Sequence, residues 1–238
     1  MRLWDLPTRL FHWALAICVG AACISANSLG EQALRLHFYS GYAVLTLLCF
    51  RLFWGFAGPR CARFAQFIRG PVATARYALF LLHGKADGRA RHVGHNPLGA
   101  LSVLALLATC AVLAISGLYA KDYIASEGPL ARLASESMVD RCSTLHAWGE
   151  PILYFLVALH VIAIAFYRFA RGQDLLSPML TGSKSVQAQS AAARNQAAPL
   201  LGRADCSDSL APDAAVWNLR ALLLFALSSA FVTYVVQL

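Results

Sequence analysis

Five long apolar stretches constrain this chain more than any other feature of its sequence. They cover residues 10–27, 37–58, 98–119, 145–169 and 216–238. A helix that crosses the hydrocarbon core of a membrane needs about 20 mostly apolar residues. Lipid admits only helices and closed barrels, and uninterrupted apolar runs of this length are not strands. The sequence therefore predicts an all-α membrane protein with five transmembrane helices.

The composition agrees with a membrane protein and argues against most soluble enzymes. Hydrophobic residues make up 58% and charged residues 13% of the 238 residues, whereas a soluble domain has about 45–50% and about 25%. In a soluble protein the net charge of +8 would suggest that the protein binds nucleic acid. Here the basic residues lie between apolar stretches, so membrane topology explains them better and we expect no nucleic-acid partner.

The basic residues also predict the orientation of the chain. If the N-terminus is cytoplasmic, sixteen of the 20 Lys and Arg residues lie in cytoplasmic segments and four in external ones. This excess is the positive-inside signal of membrane proteins, so we expect a cytoplasmic N-terminus and a C-terminus on the far side. The alternative, that residues 10–27 are a cleaved signal peptide, would remove His12 from the mature chain.

Two less apolar segments divide the chain. The loop of residues 59–97 mixes apolar and basic residues over 64–69 and 77–82, which is typical of a helix lying in the membrane interface. The stretch of residues 181–215 is rich in Ala, Ser and Gln, and we expect a flexible cytoplasmic linker. We therefore expect a four-helix bundle over residues 1–180, the linker, and a C-terminal transmembrane helix at 216–238.

Four of the seven histidines lie inside the predicted spans or at their ends, where a polar side chain is costly and usually functional. The alternating direction of the spans places His12 and His160 toward the cytoplasmic side, and His37 and His146 toward the opposite side. His146 and His160 are 14 residues apart, which is about 21 Å along a helix and nearly the same side of it. The four histidines thus form two layers, His12 with His160 and His37 with His146.

Each layer is suited to a haem. Haem iron takes axial imidazoles, and helix bundles build such sites between facing helices. With both axial positions filled, the expected function is one-electron transfer. Gly20, Gly41, Gly117 and Gly149 lie near the histidines and can leave room for a flat ring, with helix packing as the alternative. Arg51 is a candidate partner for a haem propionate, with snorkelling to the head groups as the alternative.

Other interpretations of the histidines stay open. They can be hydrogen-bonded core residues, or part of a proton-relay transporter for which Glu150 is the acidic candidate. A zinc or copper centre needs three or four ligands at one depth, and each layer offers two. The seven cysteines are scattered without a CxxC pair and are interpreted as small hydrophobic residues.

Several motifs resemble one known family. They are WDLPTRLFHW at 4–13, His37 followed by GY at 41–42, FRLFWG at 50–55, GHNPLG at 94–99, and LH at 145–146 and 159–160. Together, over about residues 1–182, they are similar to bacterial cytochrome b561-type proteins, which are related to the di-haem cytochrome b subunits of nickel–iron hydrogenases. Many of those relatives have an acidic residue directly after the first histidine of the fourth helix, where this chain has Ala147.

The resemblance implies a four-helix core with two haems b, in which His12 pairs with His160 and His37 with His146 as axial iron ligands. This is the pairing that the depth of the residues also indicates. It further implies an inner-membrane protein of a bacterial respiratory chain, with a quinone or quinol and a periplasmic redox protein such as a c-type cytochrome as partners.

One external segment carries acids that can dock a basic partner or form a solvated loop: Glu127, Glu136 and Asp140.

Two alternative functions stay open beside the electron relay. The chain can be a membrane anchor and electron-transfer subunit of a periplasmic oxidoreductase such as a hydrogenase. It can also be a stand-alone haem enzyme, such as a superoxide:quinone oxidoreductase. The fifth span lies outside the core of the resemblance, and the motifs assign it no role.

Overall fold

The computed structural model describes residues 3–67, 97–122, 126–183 and 214–238, together with positions 70, 72, 75, 76 and 79. Within these residues the regular structure is helical, and no strand occurs beyond one isolated antiparallel bridge between Lys121 and Glu127. The predicted all-α class is therefore confirmed.

Five helices in the described part of the chain are long and apolar enough to cross a membrane. They are α1 (Leu6–Ala26), α2 (Glu31–Ala57), α3 (Pro97–Tyr119), α4 (Glu136–Phe169) and α5 (Ala214–Val236). Large apolar side chains cover their outer surfaces, for example Ile17 at 70% and Leu222 at 66% exposure. Such surfaces suit lipid, whose tails are as apolar as leucine. The chain is a multi-pass membrane protein.

Three of the helices, α1, α2 and α4, begin four or more residues before the apolar stretches. Helix α1 begins at Leu6, where Pro7 follows Asp5 at the N-cap, a combination that favours a helix start. Helix α4 begins at Glu136 rather than at 145, so Glu136 and Asp140 lie on its first turns and not in a solvated loop. Hydropathy marks only the part of a helix that lies in hydrocarbon, because polar turns beyond it are solvated.

The first four long helices pack as two hairpins. Helix α1 packs along α2, α3 packs along α4, and the hairpins meet mainly between α2 and α3. The turn between α1 and α2 ends at Gly30, whose φ of 103° favours glycine. Pro151 lies inside α4 without ending it, which membrane helices tolerate.

Helix α5 packs along α2 and is part of the same bundle. At one end its Ala221 is buried with Phe50 and Trp54, and at the other end its Val232 is buried with Leu118. The C-terminal transmembrane helix that the sequence predicts therefore extends the bundle by a fifth member. Its contacts with α2 run along most of its length.

A short helix, Leu176–Thr181, follows α4 and ends at Gly182. The predicted linker lies almost entirely outside the described residues, which resume at 214. Most of the loop predicted to lie in the interface is also outside them, apart from a short helix at Phe64–Phe67 and a few neighbouring positions.

Candidate functional site

His37 and His146 come together between α2 and α4. We call them the outer pair, and His12 with His160 the inner pair, after the sides of the membrane that the sequence predicts for them. The ring centroids of His37 and His146 are 6.0 Å apart, and the ring planes are inclined by 84°. Nδ1 of His37 lies 3.0 Å from the carbonyl oxygen of Ala22. Nδ1 of His146 lies 2.9 Å from the carbonyl oxygen of Leu113. A carbonyl only accepts hydrogen bonds, so each Nδ1 carries the proton and each Nε2 keeps a lone pair for a metal.

These two residues fit an iron with two axial imidazoles. A metal–imidazole bond is about 2 Å long, so the ring centroids of two opposed imidazole ligands lie about 6 Å apart. Ligating histidines also commonly donate their other ring N–H to a carbonyl, which holds the tautomer and the ring orientation. Both features are present in the outer pair, so its side chains fit the group that the resemblance implies.

The glycines near the histidines differ in what surrounds them. A Cβ on Gly117 would lie 2.9 Å from Cε1 of His146, so the absence of a side chain makes room for the imidazole itself. A Cβ on Gly149 would lie 2.7 Å from a leucine of α3, which is ordinary close helix packing. A Cβ on Gly20 or Gly41 would meet no atom within 4 Å. These last two positions border open space, and a haem beside them stays a prediction.

The inner pair joins the start of α1 to the second half of α4. His12 and His160 are both half-buried, and His160 is close enough to act electrostatically on His12. The ring of His12 packs edge-on against Trp13, with centroids 5.1 Å apart. Its Nδ1 is buried and has no hydrogen-bond partner. The structure thus brings His37 and His146 into ring contact and places His12 and His160 within electrostatic range of each other, while ligation of iron by the four residues stays a prediction.

Arg51 is buried near the inner end of α2, with 6% of its surface exposed. Its Nη1 donates to the carbonyl oxygen of Ala62 at 3.0 Å, and its guanidinium carbon lies 4.7 Å from the ring centroid of Phe64. The carboxylate of Asp5 is within electrostatic range. The side chain therefore does not reach out to lipid head groups, and its contact with a propionate stays a prediction.

Two polar contacts were not anticipated from the sequence. Asp5 accepts a hydrogen bond from Nε1 of Trp54 at 2.8 Å, and burial raises the pKa of the Asp5 carboxyl. At the other end of the bundle, Glu150 accepts hydrogen bonds from Tyr154 at 2.5 Å and from Asn27 at 3.1 Å. In the sequence, Asp5 and Asn27 are recognisable only as polar residues beside apolar ones. Their partners, Trp54 and Glu150, are far away along the chain, so no spacing in the sequence connects them.

The described residues give no support to a zinc or copper centre. Among them, no group of three or more His, Cys, Asp or Glu side chains converges to hold a metal ion. The six cysteines in the described ranges form no disulfide with one another and are buried or half-buried. They pack as small side chains within the helices.

Comparison with known proteins finds similar cytochrome subunits. The chain is 24% identical over 223 residues to an Azotobacter vinelandii protein named as a probable Ni/Fe-hydrogenase B-type cytochrome subunit, a match that covers 76% of this chain and 86% of that one. A protein of the same name from Azotobacter chroococcum mcd 1 is equally similar. No solved structure gives a significant match.

A family model described as prokaryotic cytochrome b561 matches residues 3–182. The matched segment contains α1 to α4 and all four paired histidines. Because this match covers most of the chain, the protein belongs to the prokaryotic cytochrome b561 family and is a membrane electron-transfer cytochrome.

Proposed function

We propose that this protein binds two haems b and relays single electrons between the quinone pool and a periplasmic redox protein, such as a c-type cytochrome. The observation that supports it most directly is the 6.0 Å pairing of His37 with His146. The second pair, His12 with His160, stands at the other end of the bundle. Membership of a cytochrome b family supports haem b as the group that these residues bind.

The residues around the outer pair hold the imidazoles in place. The carbonyl oxygens of Ala22 and Leu113 orient the two rings so that Nε2 of each is available. Gly117 lets α3 approach His146 closely. A haem held by both imidazoles would supply one-electron transfer and would leave no position on the iron for a substrate. The apolar side chains and charges around the site tune its potential.

Two layers of this kind make an electron path along the membrane normal. His146 and His160 are 14 residues apart on one helix, a rise of about 21 Å. The distribution of basic residues supports a cytoplasmic position for the layer of His12 and His160 and a periplasmic one for the other. An electron that crosses the whole membrane potential gains or loses about 2.3 kcal/mol per 100 mV, so the direction of flow depends on the two haem potentials.

Exposed acids at the outer end of α4 support a basic periplasmic partner. Glu136 and Asp140 lie on the first turns of the helix, before its apolar part begins. Glu127 is partly compensated by Lys121, whose Nζ is 3.4 Å from its carboxylate. Complementary charge steers a partner protein to such a surface and raises the rate of encounter.

A second candidate function is favoured by the relatives. Two similar proteins are named as probable hydrogenase cytochrome subunits. In this alternative the chain anchors a periplasmic oxidoreductase and receives electrons from it. Helix α5 lies outside the segment matched by the family model and offers an apolar surface for assembly with such a subunit.

The haem content of the purified protein tests the proposal. We expect a b-type difference spectrum between the dithionite-reduced and air-oxidised protein, and two haems per chain by the pyridine haemochrome method. A colourless protein that keeps its helical circular dichroism would contradict the proposal.

Purification from native membranes separates the relay from the anchor. A relay is isolated without a catalytic subunit, and its haems are reduced by an added quinol. An anchor is isolated together with a catalytic subunit, whose substrate then reduces the haems.

A further inference from the structure

The first two turns of α1 contain an unusual concentration of buried polar atoms without a hydrogen-bond partner. In the part of the chain that the structure describes, four such side-chain atoms occur, and all lie here: Oδ1 of Asp5, Oγ1 of Thr8, Nε of Arg9 and Nδ1 of His12. The spacing of these residues places them on one side of the helix. Buried polar groups normally have a hydrogen-bond partner, so we expect this cluster to bind a group that is not part of the chain.

The cluster is deeply buried and favours an anion. Thr8 is 5% and Asp5 is 3% exposed. The Thr8 hydroxyl lies close enough to the Asp5 carboxyl to lower its pKa against the effect of burial, but the two atoms make no hydrogen bond of normal geometry. The hydroxyl of Thr8 and the Nε–H of Arg9 are donors, and Arg51 with Arg9 outnumber the one carboxylate of Asp5. The positive end of the α1 dipole lies at the same place and adds to the attraction.

The segment after α4 holds Arg9 in one orientation. Nη1 of Arg9 donates to the carbonyl oxygen of Leu180 at 2.6 Å. The guanidinium group also lies over Gly182, where a Cβ would be 3.1 Å from both Cζ and Nε. Gly182 has a positive φ of 79°, and its carbonyl accepts from the backbone N–H of Leu3 at 2.9 Å. The guanidinium group of Arg9 is therefore held in place, and its Nε–H is buried without a hydrogen-bond partner.

The position of the donors relative to His12 indicates which anion they bind. Thr8 and Arg9 precede His12 by four and three residues, about 6 and 4.5 Å along the helix toward its inner end. An anion at this place is next to the inner histidine pair and is buried from water. A haem carries two propionate carboxylates, and a hydroxyl with a guanidinium N–H is a suitable donor set for one of them.

We propose that Thr8 and Arg9 form a carboxylate-binding site that holds a propionate of the inner haem. The inference rests on the proposed function, because it requires a haem between His12 and His160. Helix Leu176–Thr181 and Gly182 act as a clamp that positions Arg9 for this contact. The site is separate from Arg51, whose Nη1 is bound to Ala62.

Redox titration of the holoprotein is the first test. The inner haem is identified as the one that His12→Ala removes. A positive charge favours the ferrous form, so Arg9→Gln should lower the ferrous-to-ferric ratio of the inner haem about tenfold at the wild-type midpoint, which is about 59 mV for one electron. Arg9→Lys should restore part of the shift, and the outer haem should not change. The matched control is Arg35→Gln, an exposed arginine at the outer end that pairs with Glu31.

Reconstitution with an esterified haem is the second test, and it separates propionate binding from a general loss of structure. The protein, freed of haem, is loaded with haem b or with its dimethyl ester, which has no carboxylates. We expect wild type to load its inner site with haem b at least several-fold better than with the ester. In Thr8→Val and Arg9→Gln this preference should shrink, because the two changes remove the same interaction.

Distinct outcomes separate the two proposals. An unchanged inner-haem potential and an unchanged preference for haem b in both variants would refute the carboxylate site. The di-haem proposal would survive that result as long as His12→Ala still removes one haem. If the wild-type protein binds no haem, the proposed function itself fails, and the carboxylate site fails with it.

Discussion

Gly117 of α3 lies directly against the imidazole of His146 on α4. A Cβ at this position would be 2.9 Å from Cε1 and 3.2 Å from Nδ1 of the ring. The same ring is held by the carbonyl oxygen of Leu113, one turn earlier on α3. His146 thus packs against one face of α3, between a glycine and its own helix, and its orientation depends on the close approach of the two helices.

Substitution Gly117→Ala should displace His146 and weaken the outer haem selectively. The added methyl group forces the ring or the helix to move, and overpacking of this kind costs about 1–3 kcal/mol. We expect reduced occupancy of the outer haem by the pyridine haemochrome method, with the inner haem retained. The control is Gly70→Ala, where a Cβ meets no atom within 4 Å. Full occupancy of both haems in Gly117→Ala would show that this contact is not needed.

Single substitutions of the histidines should remove different haems. His12→Ala should eliminate the inner haem and His146→Ala the outer one, because each takes away one of two axial ligands. The measurement is a redox titration that resolves the two midpoint potentials. His83→Ala, in the loop outside the described residues, serves as the control and should keep both haems. If His12→Ala and His146→Ala remove the same haem, the pairing across the bundle is wrong.

Asp5 should make the stability of the protein depend on pH. Burial raises the pKa of Asp5, so the folded protein holds this proton more tightly than the unfolded chain does. Its contribution is fully present below about pH 4 and is lost as the pH rises through the raised pKa. Asp5→Asn, which can still accept from Trp54, should remove this dependence and be the more stable form at neutral pH.

Thermal unfolding in detergent between acidic and neutral pH, followed by circular dichroism, measures this effect of Asp5. The control is Asp140→Asn, an exposed carboxylate on the first turns of α4. Equal pH slopes for Asp5→Asn and wild type would show that the buried carboxyl does not cause the dependence.

Asp174 should stabilise the short helix that clamps Arg9. Its Oδ1 accepts hydrogen bonds from the backbone N–H groups of Leu176 and Ser177, both at 3.1 Å. Removing such a cap costs about 0.5–2 kcal/mol, so Asp174→Ala should speed amide exchange in helix Leu176–Thr181 several-fold. Hydrogen–deuterium exchange measures it, and Asp174→Asn, which keeps an acceptor, should lose less.

Acid should reproduce the effect of Asp174→Ala. Hydrogen bonds from Ser177 lower the pKa of Asp174 below its usual range. The stability that the carboxylate contributes is therefore present above about pH 4 and is lost as the pH falls through the lowered pKa. Exchange in this helix that is insensitive to acid would contradict the role of the ionised side chain.

The two histidine layers were accessible from the sequence because they depend on simple geometry. Runs of about 20 apolar residues mark the spans, and alternating spans place His12 and His160 at one end and His37 and His146 at the other. The rise of a helix converts the interval between His146 and His160 into depth. None of these steps needs to know which helices are neighbours.

Which helices are neighbours in the bundle could not be predicted from the sequence in this way. Glycines that the sequence places near the histidines separate into Gly117, which touches His146, and Gly41, which borders open space. The packing of α5 along α2 left no periodic signal either. In a membrane, lipid and neighbouring helices are both apolar, so the pattern of hydrophobic residues does not distinguish a face that packs from a face that meets lipid.

The sequence by itself determined the fold class, the number of spans and the depth of the paired histidines, since all three follow from apolar length and helical rise. Only the tertiary structure decided that Nδ1 of His146 is held by Leu113 and that Gly182 positions Arg9. These contacts join residues from different helices, and they depend on how the helices are rotated and how closely they approach. Rotation and approach are set by side-chain packing in three dimensions, which a linear pattern of apolar residues does not encode.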